Sequence, residues 1–294
     1  MKTAFIINAA AGRGRTAKVW PVLEQKIRES GFDFKTFFTP GPGRGGEIAA
    51  AVQKNGFSRL IAVGGDGTLH EVINAADLSR ATVGILPTGT GNDLCRSLGI
   101  PVDPLKALEI ILSGPVREID LGSVNSVLFA NVAGTGFDAD VALQVNSSPL
   151  LSRLPGTAAY LCAVFYRLLH FQKYPVRVQV DGVHFAGKIL FAAVGNGQYY
   201  GGGMQVVPQA QIDDSTLHLC VAGDVSLGDT IRTLPKIFTG DHIKHPKVWC
   251  LSGREIEIIS DWRIPVHADG EIVTRTPALF TILPRRLKII APNS

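Results

Sequence analysis

A glycine-rich stretch at residues 64–68, with the sequence GGDGT, is the strongest chemical signal in the chain. Its glycines let the backbone approach a ligand closely and adopt positive φ angles. Because an apolar strand precedes it and a helix is predicted after it, free N–H groups and the positive end of the helix dipole would favour a phosphate. Asp66 would repel that phosphate unless a divalent cation such as Mg²⁺ lay between them. Taken alone, the stretch is equally well explained as a tight turn.

A second glycine-rich stretch, PTGTGND at residues 87–93, follows the next predicted strand and again precedes a helix. Adjacent parallel strands bring their carboxyl-end loops to one edge of a sheet, where ligands bind. We therefore expect the two loops, with Asp66 and Asp93, to face one site for phosphate and metal. Neither loop has the lysine of a Walker A motif or the spacing of a dinucleotide-binding fingerprint.

Strands and helices alternate through the first 120 or so residues, which predicts an α/β domain with an N-terminal parallel sheet flanked by helices. Apolar runs predict strands, and amphipathic stretches ending near glycine or starting at proline predict helices. The predicted strands are 4–8, 34–38, 60–63 and 83–86, and the predicted helices are 19–30, 47–55, 69–76 and 104–112.

The later part of the chain instead shows short runs in which apolar and polar residues alternate. It is predicted to be a mainly β domain, a C-terminal antiparallel β-sandwich with helical insertions at 157–171 and 226–238. The predicted strands include 176–180, 217–221, 255–258, 264–268, 279–283 and 287–290. The predicted domains are residues 1–122 and 123–284, with 285–294 as a final strand whose return to the first domain is left open.

Composition narrows the function classes. The net charge is +4 without a long Lys or Arg run, so no nucleic-acid partner is expected. The four cysteines are widely spaced and form no CxxC pair, which favours a reducing cytoplasm over a disulfide framework or a zinc site. The most apolar segment, residues 158–171, is too short for a transmembrane helix and contains an arginine.

The chain resembles the catalytic-domain family of diacylglycerol kinases, which includes bacterial lipid kinases and sphingosine kinases. Motifs in the same order span nearly the whole chain, although GGDGT alone is shared with NAD kinases. They are NAAAG at 8–12, GGDGT followed by Glu71, PTGTGND, DLG at 120–122, GTGFD at 134–138, GNG at 195–197 with YGGGM at 200–204, and DGE at 269–271.

The resemblance implies an ATP- and Mg²⁺-dependent lipid kinase that transfers the γ-phosphate to a hydroxyl of a diacylglycerol-like lipid. It places Asn8 and Thr39 near the nucleoside end of the nucleotide. The remaining nucleotide-binding positions belong to the two loops and the helix after the first, and they are Gly64, Gly65, Gly67, Thr68, Glu71, Thr88, Gly89, Thr90, Gly91 and Asn92.

The resemblance further implies that Asp66, Asp93 and Asp120 hold Mg²⁺, partly through water, and that Asp269 is the general base, supported by Glu271. A positioned carboxylate suits this role because an alcohol is barely ionised near neutral pH. The residues alone predict a hairpin turn at Asp269, and a turn is also a good place to present a carboxylate.

The chain departs from the family pattern at two places. Ala9 stands where the family usually has proline, so the first loop is less rigid. Ser215 stands where the family has the glycine of Asp-Asp-Gly. The resemblance makes Asp214 a candidate ligand of a second, structural Mg²⁺, and Ser215 puts the local backbone in question.

A lipid kinase of this kind is expected to be cytoplasmic and peripheral to the membrane, with its lipid substrate at the membrane surface and homodimerisation left open. Two segments with basic neighbours are candidate lipid-facing surfaces, residues 150–173 and residues 226–238 with Lys244 and Lys247. Two alternatives remain, an NAD kinase-like small-molecule kinase and a non-catalytic nucleotide- or lipid-binding protein. The PTGTGND loop weighs against the first, and the full set of aspartates weighs against the second.

Overall fold

The computed structural model describes residues 2–41, 43–137, 139–140 and 172–293. The chain divides into two compact units. The first consists of Met1–Ile119 with Arg285–Ser294, and the second of Asp120–Pro284. The sequence-based boundary after residue 122 lies slightly later in the chain than this division.

The first unit contains a parallel sheet built from β1 (Lys2–Ile7), β2 (Phe34–Phe38), β3 (Phe57–Gly64) and β4 (Thr82–Pro87) in the order β2-β1-β3-β4. Residues 4–7, 60–63 and 83–86 are almost wholly buried, as a parallel sheet covered on both faces requires. The end of the last strand of the chain adds beside β4, where Lys288 pairs with Thr82 in parallel.

The described helices of this unit are α1 (Ala11–Glu29), α2 (Gly45–Lys54), α3 (Asp66–Ala75), α4 (Asp93–Ser97) and α5 (Pro104–Ser113). The predicted helix 19–30 is wrong at its start, because helical structure begins at Ala11 and is broken by positive φ angles at residues 12–14. The glycines at positions 12 and 14 predict a loop from sequence. The glycine at position 12 is required by packing, since a Cβ would lie 2.2 Å from the carbonyl oxygen of Thr88.

The second unit is a sandwich of two antiparallel sheets. One has the order β14-β13-β10-β7-β16-β17, and the other contains β5, β6, β8, β9, β15 and the beginning of β18. Their buried aliphatic residues, with Phe129 and Phe280, form one core. The strands are β5 (Val116–Val124), β6 (Val127–Phe129), β7 (Val132–Gly136), β8 (Tyr174–Val180), β9 (Val183–Ile189), β10 (Phe191–Gly195), β11 (Tyr199–Tyr200), β12 (Met204–Gln205), β13 (Leu217–Ala222), β14 (Val248–Gly253), β15 (Glu255–Ile259), β16 (Pro265–Ala268), β17 (Glu271–Arg275) and β18 (Ala278–Ile290).

The last strand corrects a prediction. Residues 279–283 and 287–290 were expected as separate strands, but they belong to the single strand β18. The Pro284-Arg285 pair looks like a break in sequence, and Arg285 does have a positive φ of 48°. Pairing overrides it, because β18 is antiparallel to β15 through Ala278–Thr281 and parallel to β4 through Lys288 and Ile289.

Helical insertions interrupt the sandwich strands. The predicted helix 226–238 is present as α6 (Leu227–Thr233) followed by a 3₁₀ turn (Leu234–Phe238), and a second 3₁₀ turn spans Asp241–Lys244. The other predicted insertion, 157–171, lies outside the described residues. Within the described part of the chain, no helix is long and apolar enough to cross a membrane.

Candidate functional site: two glycine loops and a hairpin carboxylate

The two glycine-rich loops of the first unit meet at the carboxyl edge of its parallel sheet. β3 and β4 are neighbours, and they end at Gly64 and Pro87. The backbone N–H groups of Thr88 and Gly89 both donate to the carbonyl oxygen of Gly64 at 2.9 Å. The sequence argument that adjacent strands deliver both loops to one place therefore agrees with the structure.

The loops touch through glycines that have no room for a side chain. A Cβ on Gly89 would lie 2.4 Å from the Cα of Gly65, and a Cβ on Gly64 would lie 2.3 Å from the hydroxyl oxygen of Thr68. Contacts below 3 Å force backbone or side chain to move. Glycine is thus needed here for close approach of two backbones, even though these residues do not have positive φ angles.

Asp66 connects the two loops. Its carboxylate accepts the N–H groups of Asp93 and Leu94, each at 3.1 Å, and so caps the first turn of α4 from another part of the chain. The sequence argument that Asp66 requires a cation is weaker than it looked, because the carboxylate has protein partners. This capping role could not be predicted from sequence, because an aspartate between glycines fits a metal ligand and a helix cap equally well.

The carboxylates of Asp66 and Asp93 both approach Gly91. A Cβ on Gly91 would lie 2.9 Å from Asp66 Oδ2 and 3.1 Å from Asp93 Oδ2. Asp93 also forms an ion pair with Arg96 at 3.2 Å. Burial raises the pKa of the Cys95 thiol well above its ordinary value, and the negative charge of Asp66 raises it further. Gly91 therefore lies beside two carboxylates, one of which is paired with Arg96.

The residues predicted near the nucleoside end lie around the same sheet edge. Asn8 follows β1 and donates through Nδ2 to the Thr68 hydroxyl at 3.2 Å. The N–H of Thr39, after β2, donates to the Ile7 carbonyl oxygen at 2.9 Å. Glu71 stays a predicted nucleotide-binding residue. Its carboxylate accepts the N–H groups of Gly43 at 2.8 Å and Gly45 at 2.6 Å. It thereby holds the loop between β2 and α2.

Hydrogen bonds of polar side chains stabilise the second loop, residues 87–93. Thr88 is buried and its hydroxyl lies 2.6 Å from that of Thr16 on α1. Asn92 adopts a left-handed conformation, φ 53°, and its Nδ2 donates to the carbonyl oxygen of Gly89 at 3.1 Å. Its Oδ1 is buried without a hydrogen-bond partner among the described residues. Thr90 is exposed at the tip.

In the second unit, Asp269 occupies a hairpin turn, as its sequence predicted. Asp269 and Gly270 join β16 to β17 with φ angles of 50° and 91°. The carboxylate accepts the N–H groups of Ala130 and Asn131, each at 2.9 Å. Its orientation is thus fixed by backbone groups. Glu271 begins β17 and is exposed.

Two buried asparagines, which the sequence reasoning did not single out, brace this carboxylate. Asn196 donates through Nδ2 to the carbonyl oxygens of Asp120 at 2.9 Å and Ala130 at 2.8 Å, and its own N–H donates to Asn131. Asn131 in turn donates through Nδ2 to the carbonyl oxygen of Tyr199. The GNG motif at 195–197 was the available signal, because an asparagine in a buried strand end needs backbone partners.

Asp120 is fully buried at the start of this unit, and its Oδ2 accepts the N–H of Ser215 at 2.6 Å. It therefore holds the turn at 213–215. Asp214 also has protein partners, the N–H of Thr216 at 2.9 Å and the imidazole of His218 at 2.8 Å. Ser215 keeps a positive φ of 61°, so the backbone retains a conformation that favours glycine.

The left-handed conformation of Ser215 leads to a prediction about the free energy of unfolding. We expect Ser215→Gly to stabilise the protein by up to about 1 kcal/mol, because a left-handed non-glycine residue costs roughly 1–2 kcal/mol and the greater freedom of glycine in the unfolded chain offsets part of it. Thermal unfolding would measure the change. Ser252→Gly, in the exposed part of β14, is the control and should be destabilising. Equal destabilisation by both substitutions would contradict the prediction.

The predicted magnesium ligands fit the ion only in part. Within the described residues, no group of three or more His, Cys, Asp or Glu side chains could hold a metal. Asp66 and Asp93 belong to the first unit and Asp120 to the second, and their shared role as ligands stays a prediction. Mg²⁺ commonly takes one or two carboxylates and completes its shell with water and substrate phosphates, and the Asp66–Asp93 pair beside Gly91 suits that mode.

Comparison with known proteins decides the family. The family model described as "Diacylglycerol kinase catalytic domain" matches residues 2–124, and the model described as "YegS C-terminal NAD kinase beta sandwich-like domain" matches residues 131–291. Relatives named diacylglycerol kinase from Staphylococcus carnosus (strain TM300) and Staphylococcus saprophyticus are each 30% identical over 99% of this chain, covering 95% and 96% of their own lengths. The chain belongs to the diacylglycerol kinase family. It is accordingly an enzyme of the phosphotransferase class, and the recognition from sequence motifs is confirmed.

Solved structures agree on the fold. The crystal structure of a diacylglycerol kinase from Bacillus anthracis str. Sterne matches with a TM-score of 0.76 and 23% identity over 99% of this chain and 96% of that one. Another solved structure from the same organism reaches a TM-score of 0.84 at 24% identity, covering 99% of this chain and 95% of that one. At these identities the likeness confirms the fold class, a parallel α/β part followed by an antiparallel β part.

Proposed function

We propose that the protein transfers the γ-phosphate of ATP to a hydroxyl of a diacylglycerol-like lipid, with Mg²⁺ as the metal ion. The observation that carries the proposal is the contact of the two glycine loops at Gly65 and Gly89, in a chain whose relatives are named diacylglycerol kinase. Phosphoryl transfer depends mainly on alignment and charge neutralisation, and two closely packed glycine loops can provide aligned backbone N–H groups.

The first turn of α3 is the proposed phosphate site. The helix begins at Asp66 after Gly65, and among the residues that the structure describes no side chain caps its N-terminus. Free N–H groups and the positive end of the helix dipole favour an anion at this place. Gly67 and Thr68 lie in this turn, and the loop 89–91 approaches it from β4.

Asp66 and Asp93 are the residues proposed to hold Mg²⁺, together with water and nucleotide oxygens. The Asp66 carboxylate accepts two backbone N–H groups and the Asp93 carboxylate contacts Arg96, and carboxylate oxygens are ligands that Mg²⁺ accepts. The ion would neutralise charge on the transferred phosphoryl group. Asp120 and Asp214 remain predicted ligands, and their partners in the structure are Ser215 for the first and Thr216 and His218 for the second.

Asp269 is the proposed general base. Its carboxylate is held rigidly by backbone N–H groups at the end of a hairpin, which suits a group that must meet a lipid hydroxyl in a fixed direction. Glu271 is proposed to support it. The lipid would be reached at a membrane surface by a cytoplasmic, peripherally bound protein, and homodimerisation remains a prediction.

The proposal is tested by measuring ADP formation with a panel of diacylglycerol, phosphatidylglycerol, ceramide and sphingoid lipids, with Mg²⁺ or with EDTA. We expect diacylglycerol to stimulate turnover most strongly and EDTA to abolish it. Radiolabelled lipid product from γ-labelled ATP identifies the acceptor. Formation of NADP from NAD would favour the small-molecule kinase instead, and tight ATP binding without turnover on any acceptor would favour the non-catalytic alternative.

A further inference from the structure

The segment formed by α6 and the following 3₁₀ turn, residues 227–238, packs on the sandwich with one face only. We call it the α6 segment. On its inner face Thr230 and Ile237 are buried, and Leu234 packs against a core cluster that includes Phe191 and Val206. These contacts account for the apolar residues on that face.

The outer face of the α6 segment is also apolar, and nothing in the described chain covers it. Leu227, Ile231 and Phe238 are exposed by 45%, 47% and 42%. A surface helix normally places polar residues opposite its buried face. Three large apolar side chains within twelve residues therefore indicate a partner for the outer face.

A basic rim accompanies these apolar residues. Residues 226–247 contain four Lys or Arg and two Asp. Asp241 is paired with Lys244 at 2.5 Å, and Asp229 receives the Ser226 hydroxyl at 2.7 Å. Within the described part of the chain, Arg232 and Lys236 form no ion pair and both are exposed.

An apolar cavity lies under the same segment. It is lined by inner-face residues of the segment, including Thr233 and Leu234, and by side chains of the sandwich such as Phe137, Phe191 and Val248. The α6 segment therefore has apolar surface on both its inner and its outer side.

We propose that the outer face of the α6 segment is the surface by which the protein docks on an anionic lipid bilayer. Leu227, Ile231 and Phe238 enter the boundary between headgroups and acyl chains, while Arg232 and Lys236 lie against anionic headgroups. A bilayer supplies both partners at once, apolar depth and negative charge. The inference rests on the proposed function and adds to it the surface that meets the membrane.

The first test is co-sedimentation with phosphatidylcholine vesicles that contain about one-third phosphatidylglycerol. We expect Leu227→Ser/Ile231→Ser to lower the partition coefficient roughly 10- to 30-fold, since two half-exposed aliphatic side chains lose their burial in lipid. The control Val102→Ser/Val183→Ser removes two equally exposed aliphatic residues elsewhere and should bind as the wild type does. Equal binding by the first variant and the wild type would overturn the proposal.

The second test separates charge from hydrophobic contact. Arg232→Gln/Lys236→Gln should weaken binding to the same vesicles about 30-fold, because each basic residue near an anionic surface strengthens binding roughly five-fold. Binding to pure phosphatidylcholine vesicles should not change. The control variant Lys18→Gln/Lys54→Gln should bind both kinds of vesicle as the wild type does. An equal loss from the two basic-residue variants would mean that net charge, and not this surface, drives binding.

Two further measurements test whether a second copy of the chain covers the face and whether the proposed kinase activity is present. If analytical ultracentrifugation shows a wild-type dimer that Leu227→Ser/Ile231→Ser makes monomeric, a second copy covers the face and the docking proposal is wrong. Phosphorylation of short-chain dioctanoylglycerol in detergent micelles should be retained by all these variants. If the wild-type protein does not phosphorylate dioctanoylglycerol, the proposed function is rejected. The vesicle-binding measurements would still test the docking surface.

Discussion

Asp269→Asn is expected to lower the rate of lipid phosphorylation by roughly 10²- to 10⁴-fold, the range that a positioned general base contributes. The asparagine keeps the shape of the side chain but cannot take the proton of the acceptor hydroxyl. ATP should still bind, because the loops proposed to hold its phosphates, residues 64–68 and 87–93, belong to the first unit. The measurements are the turnover rate with diacylglycerol and the dissociation constant of ATP by calorimetry.

The structure adds a complication to this test. The Asp269 carboxylate accepts N–H groups from Ala130 and Asn131 through different oxygens, and an asparagine has only one acceptor oxygen. Its NH₂ group would face a backbone donor, at a cost of about 1–3 kcal/mol. We therefore expect a lower unfolding temperature as well, so activity must be measured well below it.

Two comparison variants distinguish a role of Asp269 as general base from a purely structural role. Asn131→Ala removes the side-chain bond to Tyr199 and loosens the same region while the carboxylate remains. Glu271→Gln changes an exposed carboxylate two residues away on the same hairpin. If Asp269 is the base, neither variant should approach the loss caused by Asp269→Asn. A loss of the same size from Asn131→Ala would assign Asp269 a supporting role only.

The architecture of the first unit could be predicted because its signals are local. Buried apolar runs followed by glycine-rich loops define parallel strands whose ends share an edge, and the structure places the loops after β3 and β4 in contact. Element boundaries were less predictable. Glycines 12 and 14 looked like a loop, but one of them is fitted against Thr88 inside a broken helix.

The side-chain partners could not be predicted, because they join residues far apart in sequence. Asp66 caps α4, Asp120 holds Ser215, and Asp269 holds the segment 130–131. In each case an aspartate expected to serve metal or proton chemistry also accepts backbone N–H groups. Nothing in the local sequence distinguishes these uses, since a carboxylate needs donors in either role.

Asp120 and Asp269 show how the second unit fixes the orientation of its carboxylates. Where a catalytic group must keep its direction, its orientation is best fixed by rigid neighbours. Backbone N–H groups are more rigid than side chains, and the buried Asn196 links Asp120 to the segment that holds Asp269. Asn131 and Asn196 both donate to backbone carbonyl oxygens of this part of the second unit, and only Asn196 belongs to a recognisable motif, GNG at 195–197.

Gly89→Ala should have the opposite signature from Asp269→Asn, with loss of ATP binding and of turnover together. A Cβ at this position would lie 2.4 Å from the Cα of Gly65 and 2.8 Å from its nitrogen, so one backbone must move away from the other. Overpacking of this kind costs about 1–3 kcal/mol. A displacement near 1 Å also misaligns the phosphate, which costs on the order of 10²-fold in rate.

The matched control is Gly228→Ala, whose Cβ would meet nothing within 4 Å. Because Gly228 lies within α6, alanine should leave turnover unchanged and raise stability slightly. Calorimetry and turnover on both variants give the comparison. Normal ATP affinity in folded Gly89→Ala would mean that the contact between the loops serves folding alone, and the phosphate site would then have to lie away from the Gly65–Gly89 contact.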